Sequence, residues 1–243
     1  MHKINQKNKM ARSKKKKFSG VKASDNVLEA GKKLFENIKG NWNELFFQND
    51  NDIVLELACG RGEYSVGLGE IYPNKNFIGI DIKGDRLWFG SSQAEEKGLK
   101  NVGFLRTKIH HLEDLFAENE VADIWIINPD PRPRKRDIRR RLTNPRFMGI
   151  YHRIMKPGGW IRLKTDSQPL FEYSLEEIKK LEVLELEKTF DLYESPLYAE
   201  HHNIKTRFES IFTKKGHKIH YLKAKLAEEQ PSFVVPENSK EEI

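Results

Sequence analysis

A single cysteine, Cys59, occurs in the 243 residues. It excludes an intrachain disulfide, and no cysteine and histidine spacing resembles a zinc site, so a reducing compartment is the simplest home and no metal is expected. No apolar run reaches the roughly 18 residues of a membrane-spanning helix, and the polar first residues lack the apolar core of a secretory signal. A cytoplasmic protein with no membrane partner is expected. The phosphate-binding glycine signatures are incomplete too. No G-K-[ST] occurs, which excludes an ATP-type phosphate loop. The one Gly-rich turn, Cys59-Gly-Arg-Gly-Glu63, lacks the third glycine of G-x-G-x-x-G, which disfavours a pyrophosphate ligand.

Acidic residues are absent from the first 24 positions, which hold eight Lys and one Arg, whereas the remainder carries 34 basic against 36 acidic side chains. The formal charge of +7 therefore sits at the front. A basic arm on a near-neutral body suits a polyanionic partner, because each neutralised phosphate releases counterions. A solvated terminus that aids solubility is the plainer alternative. The length fits one large α/β domain. The boundaries expected are a disordered basic arm over 1–23, a domain over 24–226 and an acidic, disordered tail over 227–243.

Apolar runs and helical periods alternate along the body. Ser24, Asp25 and Asn26 are placed to cap a helix through Val27, Leu28, Leu34, Phe35 and Ile38. Strands are expected at Ile53 to Ala58, Phe77 to Ile80, Val102 to Leu105, Ile124 to Ile127 and Trp160 to Lys164. Helices are expected at Tyr64 to Ile71, Asp85 to Lys97 and Pro145 to Met155, the last stopped by Lys156-Pro-Gly-Gly159. Further on, a helix over Leu170 to Leu181, a strand over Leu184 to Phe190, a helix over Thr206 to Lys214 and a strand over Lys218 to Leu222 complete the pattern. Parallel strands joined by helical crossovers give this rhythm.

Two polar segments fall at strand ends, where open α/β folds bind ligands. In the first, Glu56-Leu-Ala-Cys-Gly-Arg-Gly62 offers backbone amides and small residues, including Gly60 and Gly62, to a nucleoside that must approach the main chain. Asp81 ends the next strand, where a carboxylate can accept both hydroxyls of a ribose. Glu56 stands where a carboxylate can hold the ammonium of a methionine moiety. The structural alternatives are a charge that organises the glycine turn for Glu56 and a strand-end cap for Asp81. The second segment, Asn128 to Thr143, packs seven Arg or Lys and one Asp into positions 132 to 141. Prolines at 129, 131 and 133 stiffen it, and the guanidinium fork suits phosphate. Arg139 to Arg141 are expected to contact phosphates. Asp130 is placed to meet a base rather than a phosphate. Its alternative is a turn-forming Asp before proline.

Together these residues resemble the bacterial tRNA (guanine-N7)-methyltransferase family (TrmB-type). The similarity rests on Asp130-Pro-Arg-Pro-Arg-Lys-Arg136, Arg140-Arg-Leu-Thr143, Leu163-Lys-Thr-Asp166, Leu170-Phe-Glu-Tyr-Ser174 and Thr206-Arg-Phe-Glu209, in the family's order. The resemblance implies an α/β, class I S-adenosylmethionine-dependent methyltransferase fold (Rossmann-like): a mostly parallel seven-stranded sheet with helices on both faces and an antiparallel last hairpin. It implies S-adenosylmethionine as cofactor, tRNA as partner and N7 of a variable-loop guanosine as target. Glu56, Gly60, Gly62, Asp81, Lys108, Ile109 and Asp130 would line the cofactor site, with Asp130 also catalytic. Arg134, Asp166, Thr206, Arg207, Phe208 and Glu209 would contact substrate. Three positions depart from the family pattern. Lys108 stands where an acid usually accepts the adenine amine, which moves that contact to the backbone near Ile109. Arg132 replaces a tryptophan, and Asn128 stands where an aromatic is common, which leaves base stacking to the guanidinium. Two other readings are compatible with parts of the pattern. Asn128-Pro-Asp-Pro131 begins like the N-P-P-[YFW] of methyltransferases for exocyclic amines, and a degenerate methyltransferase fold kept for RNA binding would tolerate Lys108 and Arg132.

Overall fold

The computed structural model describes residues 20–229. Of the expected basic arm and acidic tail, all but residues 20–23 and 227–229 lie outside them. The described residues divide between Leu115 and Phe116 into two units.

The first unit contains β1 (Val27–Glu29), β2 (Asp52–Leu57), α1 (Glu63–Ile71), β3 (Lys75–Asp81), α2 (Gly84–Glu96), β4 (Val102–Arg106) and the short α3 (Leu112–Leu115). Its strands are ordered β1-β4-β3-β2 and all pair in parallel. In β2, Ile53, Val54, Leu55 and Leu57 are all buried, the continuous apolar run of a parallel strand covered on both faces. α1 packs on β3, and α2 on β4.

The helix expected from Ser24 is not formed. Val27 to Glu29 instead make β1, with Val27 opposite Phe104 and Glu29 opposite Arg106. Asn26, read as a helix cap, exchanges hydrogen bonds with Ser91 and accepts the Phe104 amide. Gly31 turns the chain at φ +88°, and only a 3-10 turn at Phe35–Asn37 follows. The unpaired backbone of β4 offers a whole ladder to this segment, and that tertiary gain overrides a weak local preference. A six-residue π-helical turn, Trp42–Phe47, was not foreseen; buried Trp42 donates from Nε1 to the Leu115 carbonyl at 2.8 Å.

The second unit contains β5 (Val121–Ile127), α4 (Pro145–Ile154), β6 (Trp160–Thr165), α5 (Gln168–Ile178), β7 (Val183–Thr189), α6 (Arg207–Thr213) and β8 (His220–Leu226). The order is β5-β6-β8-β7, parallel between β5 and β6 and antiparallel on both sides of β8. The last hairpin is thus antiparallel as expected, and β8 enters between β6 and β7. The described residues hold eight strands rather than seven, and β1 is the addition. Pro145 sits in the first turn of α4 behind the cap Asn144, whose side chain accepts from the Arg146 amide, the position where a missing N–H costs nothing. Among the described residues, no helix is long and apolar enough to cross a membrane.

Candidate active site

In the first unit the expected cofactor residues lie at the carboxyl ends of three neighbouring strands, β2, β3 and β4. The turn after β2 takes left-handed conformations, φ +54° at Ala58, +59° at Gly60 and +71° at Gly62; glycine adopts them freely, whereas Ala58 does so at a steric cost. Gly62 has a second reason to be glycine. A Cβ there would stand 2.4 Å from the buried Phe104 ring, with no room to shift. At Gly60 an added Cβ would meet nothing within 4 Å, so that turn faces open space.

Asp81 and Glu56 hold this turn together. One Asp81 oxygen accepts from the Gly60 amide at 3.0 Å and the other from the Lys83 amide at 2.9 Å. Glu56 accepts through Oε2 from both the amide and the hydroxyl of Ser65, at 2.8 and 2.6 Å, which ties the end of β2 to the first turn of α1. Burial pushes the Glu56 carboxyl up to about 8, against the opposing pull of the two Ser65 hydrogen bonds. An acid so placed gains from a cationic ligand, because ionising it in a buried site is otherwise unfavourable. Burial also raises the Cys59 thiol, which keeps it protonated and unreactive. Lys108 is exposed and Ile109 half-buried, at the 3-10 turn Ile109–His111 that follows β4. Ile82, beside Asp81, is 55% exposed. Its signal in the sequence is an apolar residue directly after a strand-end acid.

In the second unit the polar loop is anchored at both ends. At its start, Asn128 adopts φ +45°, and its amide bonds to the Lys164 carbonyl at 2.8 Å. Near its end, Arg141 is only 8% exposed. Its guanidinium lies over the Tyr173 ring and donates from Nε and Nη2 to the Arg132 carbonyl. Thr143 is buried and bonded to Ser174 at 2.7 Å. Arg141, expected to meet phosphate, instead clamps the loop, because its stem and fork are consumed by packing against α5. Arg134, Lys135, Arg136, Arg139 and Arg140 remain exposed. Asp130, between the anchors, has its side chain 63% exposed and faces Arg132 Nε at 3.3 Å.

Asp166 follows β6 and is half-buried, whereas Arg207 and Phe208 are exposed at the start of α6, Phe208 by 54%. Thr206 caps that helix, its Oγ1 accepting from the Glu209 amide at 3.1 Å. Glu209 turns inward. His201 Nε2 and the Tyr193 hydroxyl face its Oε1, and Lys164 Nζ donates to its Oε2. Burial alone would raise this carboxyl, but the His201 hydrogen bond and the Lys164 ammonium outweigh it and hold it at about 2. Its side chain therefore ties the segment together from within, and Arg207 and Phe208 are the exposed members of the Thr206–Glu209 motif. Lys164 carries no signal of this role in the sequence, because β6 also holds Arg162 two positions earlier; only the fold brings it to its buried partner Glu209.

Among solved structures, the chain resembles the 16S rRNA methyltransferase KamB (TM-score 0.57, 15% identity, covering 77% of this chain and 93% of that one). It also resembles an antibiotic-related methyltransferase (TM-score 0.54, 18% identity, covering 76% and 92%). These likenesses, with the strand order within each unit and the turn after β2, define a class I methyltransferase fold. Residues 50–222 match the family model described as "Putative methyltransferase". The tRNA (guanine-N(7)-)-methyltransferase of Cytophaga hutchinsonii is 45% identical over 88% of this chain and 97% of its own length. Its namesake from Bacteroides thetaiotaomicron is 42% identical over 90% and 88%. The chain belongs to the tRNA (guanine-N7)-methyltransferase family.

Proposed function

We propose that this protein transfers a methyl group from S-adenosylmethionine to N7 of a guanosine in the variable loop of tRNA, in the cytoplasm. The observation that supports it most is Asp130: an exposed carboxylate on a doubly anchored loop, flanked by five exposed Arg and Lys side chains at 134, 135, 136, 139 and 140. The residues of the first unit fit the cofactor. Asp81 stands at the end of β3 to receive the ribose hydroxyls, the open turn at Gly60 admits close approach, and buried Glu56 gains from an ammonium group. Ile82 offers an apolar surface to the adenine, with Lys108 and Ile109 beside it at the end of β4.

S-adenosylmethionine, when bound, supplies a methyl group made electrophilic by the sulfonium. Guanine N7 has an in-plane lone pair and no proton, so the N7–methyl bond forms as the sulfur–methyl bond breaks and no general base is required. Positioning and electrostatics then supply the rate. Asp130 orients the base through its N1 proton or exocyclic amine and offsets the positive charge that develops on the purine. Arg134 and its exposed neighbours hold phosphates and fix register without reading sequence. Asp166, Arg207 and Phe208 complete the substrate contacts, and the lysines of the first residues add polyanion affinity.

The test is methylation of bulk tRNA by the purified protein, followed by nucleoside analysis. 7-Methylguanosine is the expected product. Methylated adenine or cytosine amines would instead favour the exocyclic-amine reading, and no product with no cofactor binding would favour an RNA-binding module.

A further inference from the structure

Four residues of the second unit close a ring of polar contacts. The Asn128 amide donates to the Lys164 carbonyl at 2.8 Å, and Asn128 Nδ2 donates to Thr206 Oγ1 at 3.0 Å. Thr206 Oγ1 accepts the Glu209 amide at 3.1 Å, and Lys164 Nζ donates to Glu209 Oε2 at 2.7 Å. The ion pair that closes the ring is dry, with side chains 1% and 0% exposed. Each member lies within two positions of a residue proposed for substrate, Glu209 directly after Phe208. Asn128 precedes Asp130 by two positions, Lys164 precedes Asp166 by two, and Thr206 adjoins Arg207 and Phe208. Asn128 also has the residue type its backbone demands, because asparagine tolerates the left-handed conformation better than most other side chains.

A buried ion pair is a poor device for stability alone. Removing two charges from water can cost more than their attraction returns, and apolar pairs of similar volume are often as stable or more so. What such a pair does provide is a unique geometry, since a displaced partner leaves an uncompensated charge. We propose that Lys164 and Asn128 are positioning residues for methyl transfer: the ring holds the ends of β5 and β6 and the start of α6 in one arrangement, so that Asp130, Asp166 and the Arg207–Phe208 pair meet the substrate together. The inference rests on the tRNA methyltransferase reading, and it gives Asn128 a task that an aromatic at that position could not perform.

The experiment compares tRNA methylation kinetics, S-adenosylmethionine affinity by calorimetry and melting temperature for the wild type, Asn128→Gly, Lys164→Met and the double variant Lys164→Met/Glu209→Gln. Glycine at 128 keeps the backbone conformation and deletes only the link to Thr206. It is expected to melt within a few degrees of wild type, with kcat lowered about tenfold or more, since a displacement near 1 Å costs up to about a hundredfold. Cofactor affinity should hold within about twofold, because Glu56, Gly60 and Asp81 are untouched. Lys164→Met takes the ammonium from Glu209 Oε2 and leaves the buried carboxylate with only His201 and Tyr193 on Oε1, so it is expected to melt early. The double variant removes both charges, while glutamine still accepts from His201 and Tyr193, so its melting temperature should recover while kcat stays about tenfold low. Recovery of kcat together with stability in the double variant would overturn the proposal, as would wild-type kcat and KM in Asn128→Gly. If Lys164→Met fails to fold, the other two variants decide. A wild type that forms no 7-methylguanosine overturns the functional reading itself, which the variants alone cannot do.

Discussion

Replacing Glu56 by glutamine tests whether the acid after β2 is held protonated by its burial. Its carboxyl is raised from an ordinary 4.5 to about 8. Between those values the unfolded chain carries a carboxylate at this position, whereas the folded chain carries a carboxylic acid. A raised folded value means that the stability from this group is complete below pH 4.5 and is lost as pH rises towards 8. The loss is about 1.4 kcal/mol per pH unit and accumulates to an upper limit of ~5 kcal/mol by pH 8. Glutamine is neutral throughout and keeps an oxygen for the Ser65 amide and hydroxyl. Urea unfolding of both proteins from pH 5 to 8.5 therefore should show the wild type losing several kcal/mol relative to Glu56→Gln, with the variant the more stable at pH 8. Taking the difference between the two cancels the other titrating groups. Two curves that stay parallel across that range within about 0.5 kcal/mol would refute the argument. Ligand linkage supplies a second readout. A cationic group brought to Glu56 ionises it, so wild-type binding of S-adenosylmethionine at pH 7 should release a proton, visible as a calorimetric enthalpy that depends on buffer. Glu56→Gln should bind more weakly and show no such dependence from this site.

Asp130→Ala should lower kcat by about two orders of magnitude or more, the scale of removing one electrostatic stabiliser, while cofactor affinity changes little. Near-normal turnover would remove Asp130 from the mechanism. Gly62→Ala drives a methyl group to 2.4 Å from Phe104 and adds strain at φ +71°, so urea melts should show a loss of about 1–3 kcal/mol; unchanged stability would mean that the turn is looser than it looks. Arg139→Ala and Arg141→Ala should differ in kind. The exposed Arg139 is expected to weaken tRNA binding and reduce the slope of log affinity against log salt by about 1, with stability intact. Arg141→Ala should lower stability by about 1.5–3 kcal/mol through the lost Arg132 and Tyr173 contacts; equal salt slopes and equal stabilities for the two variants would contradict the assignment of Arg141 as a clamp.

The strands β2 to β5 and the helices α1, α2 and α4 were legible because parallel strands buried on both faces leave apolar runs and because glycine and proline punctuate their ends, whereas the four-residue α3 was too short to leave a helical period. The antiparallel last hairpin came from the family resemblance. Contact direction was harder to read. Arg140 and Arg141 are identical neighbours in sequence, yet one is exposed and the other clamps the loop from beneath. Glu209 and Asp130 are both motif acids, but only Asp130 is exposed. Neither difference lies in the residue itself, since each depends on which partners a 3-10 turn or a short helix meets, from Arg132 and His201 nine and eight positions away to Tyr173 and Lys164 much farther along the chain.

From residue order alone came the α/β alternation, the paired strand-end acids Glu56 and Asp81, the arginine-rich loop around Asp130 and the family motifs, because backbone period, turn chemistry and charge are properties of short segments. Only the tertiary structure decided that Val27 to Glu29 form a strand, that Arg141 and Glu209 face inward, and that Lys164, Asn128, Thr206 and Glu209 close a ring. Those outcomes follow from partners distant along the chain. An open strand edge, an aromatic ring or an opposite charge becomes available to a residue only when folding brings it within bonding reach.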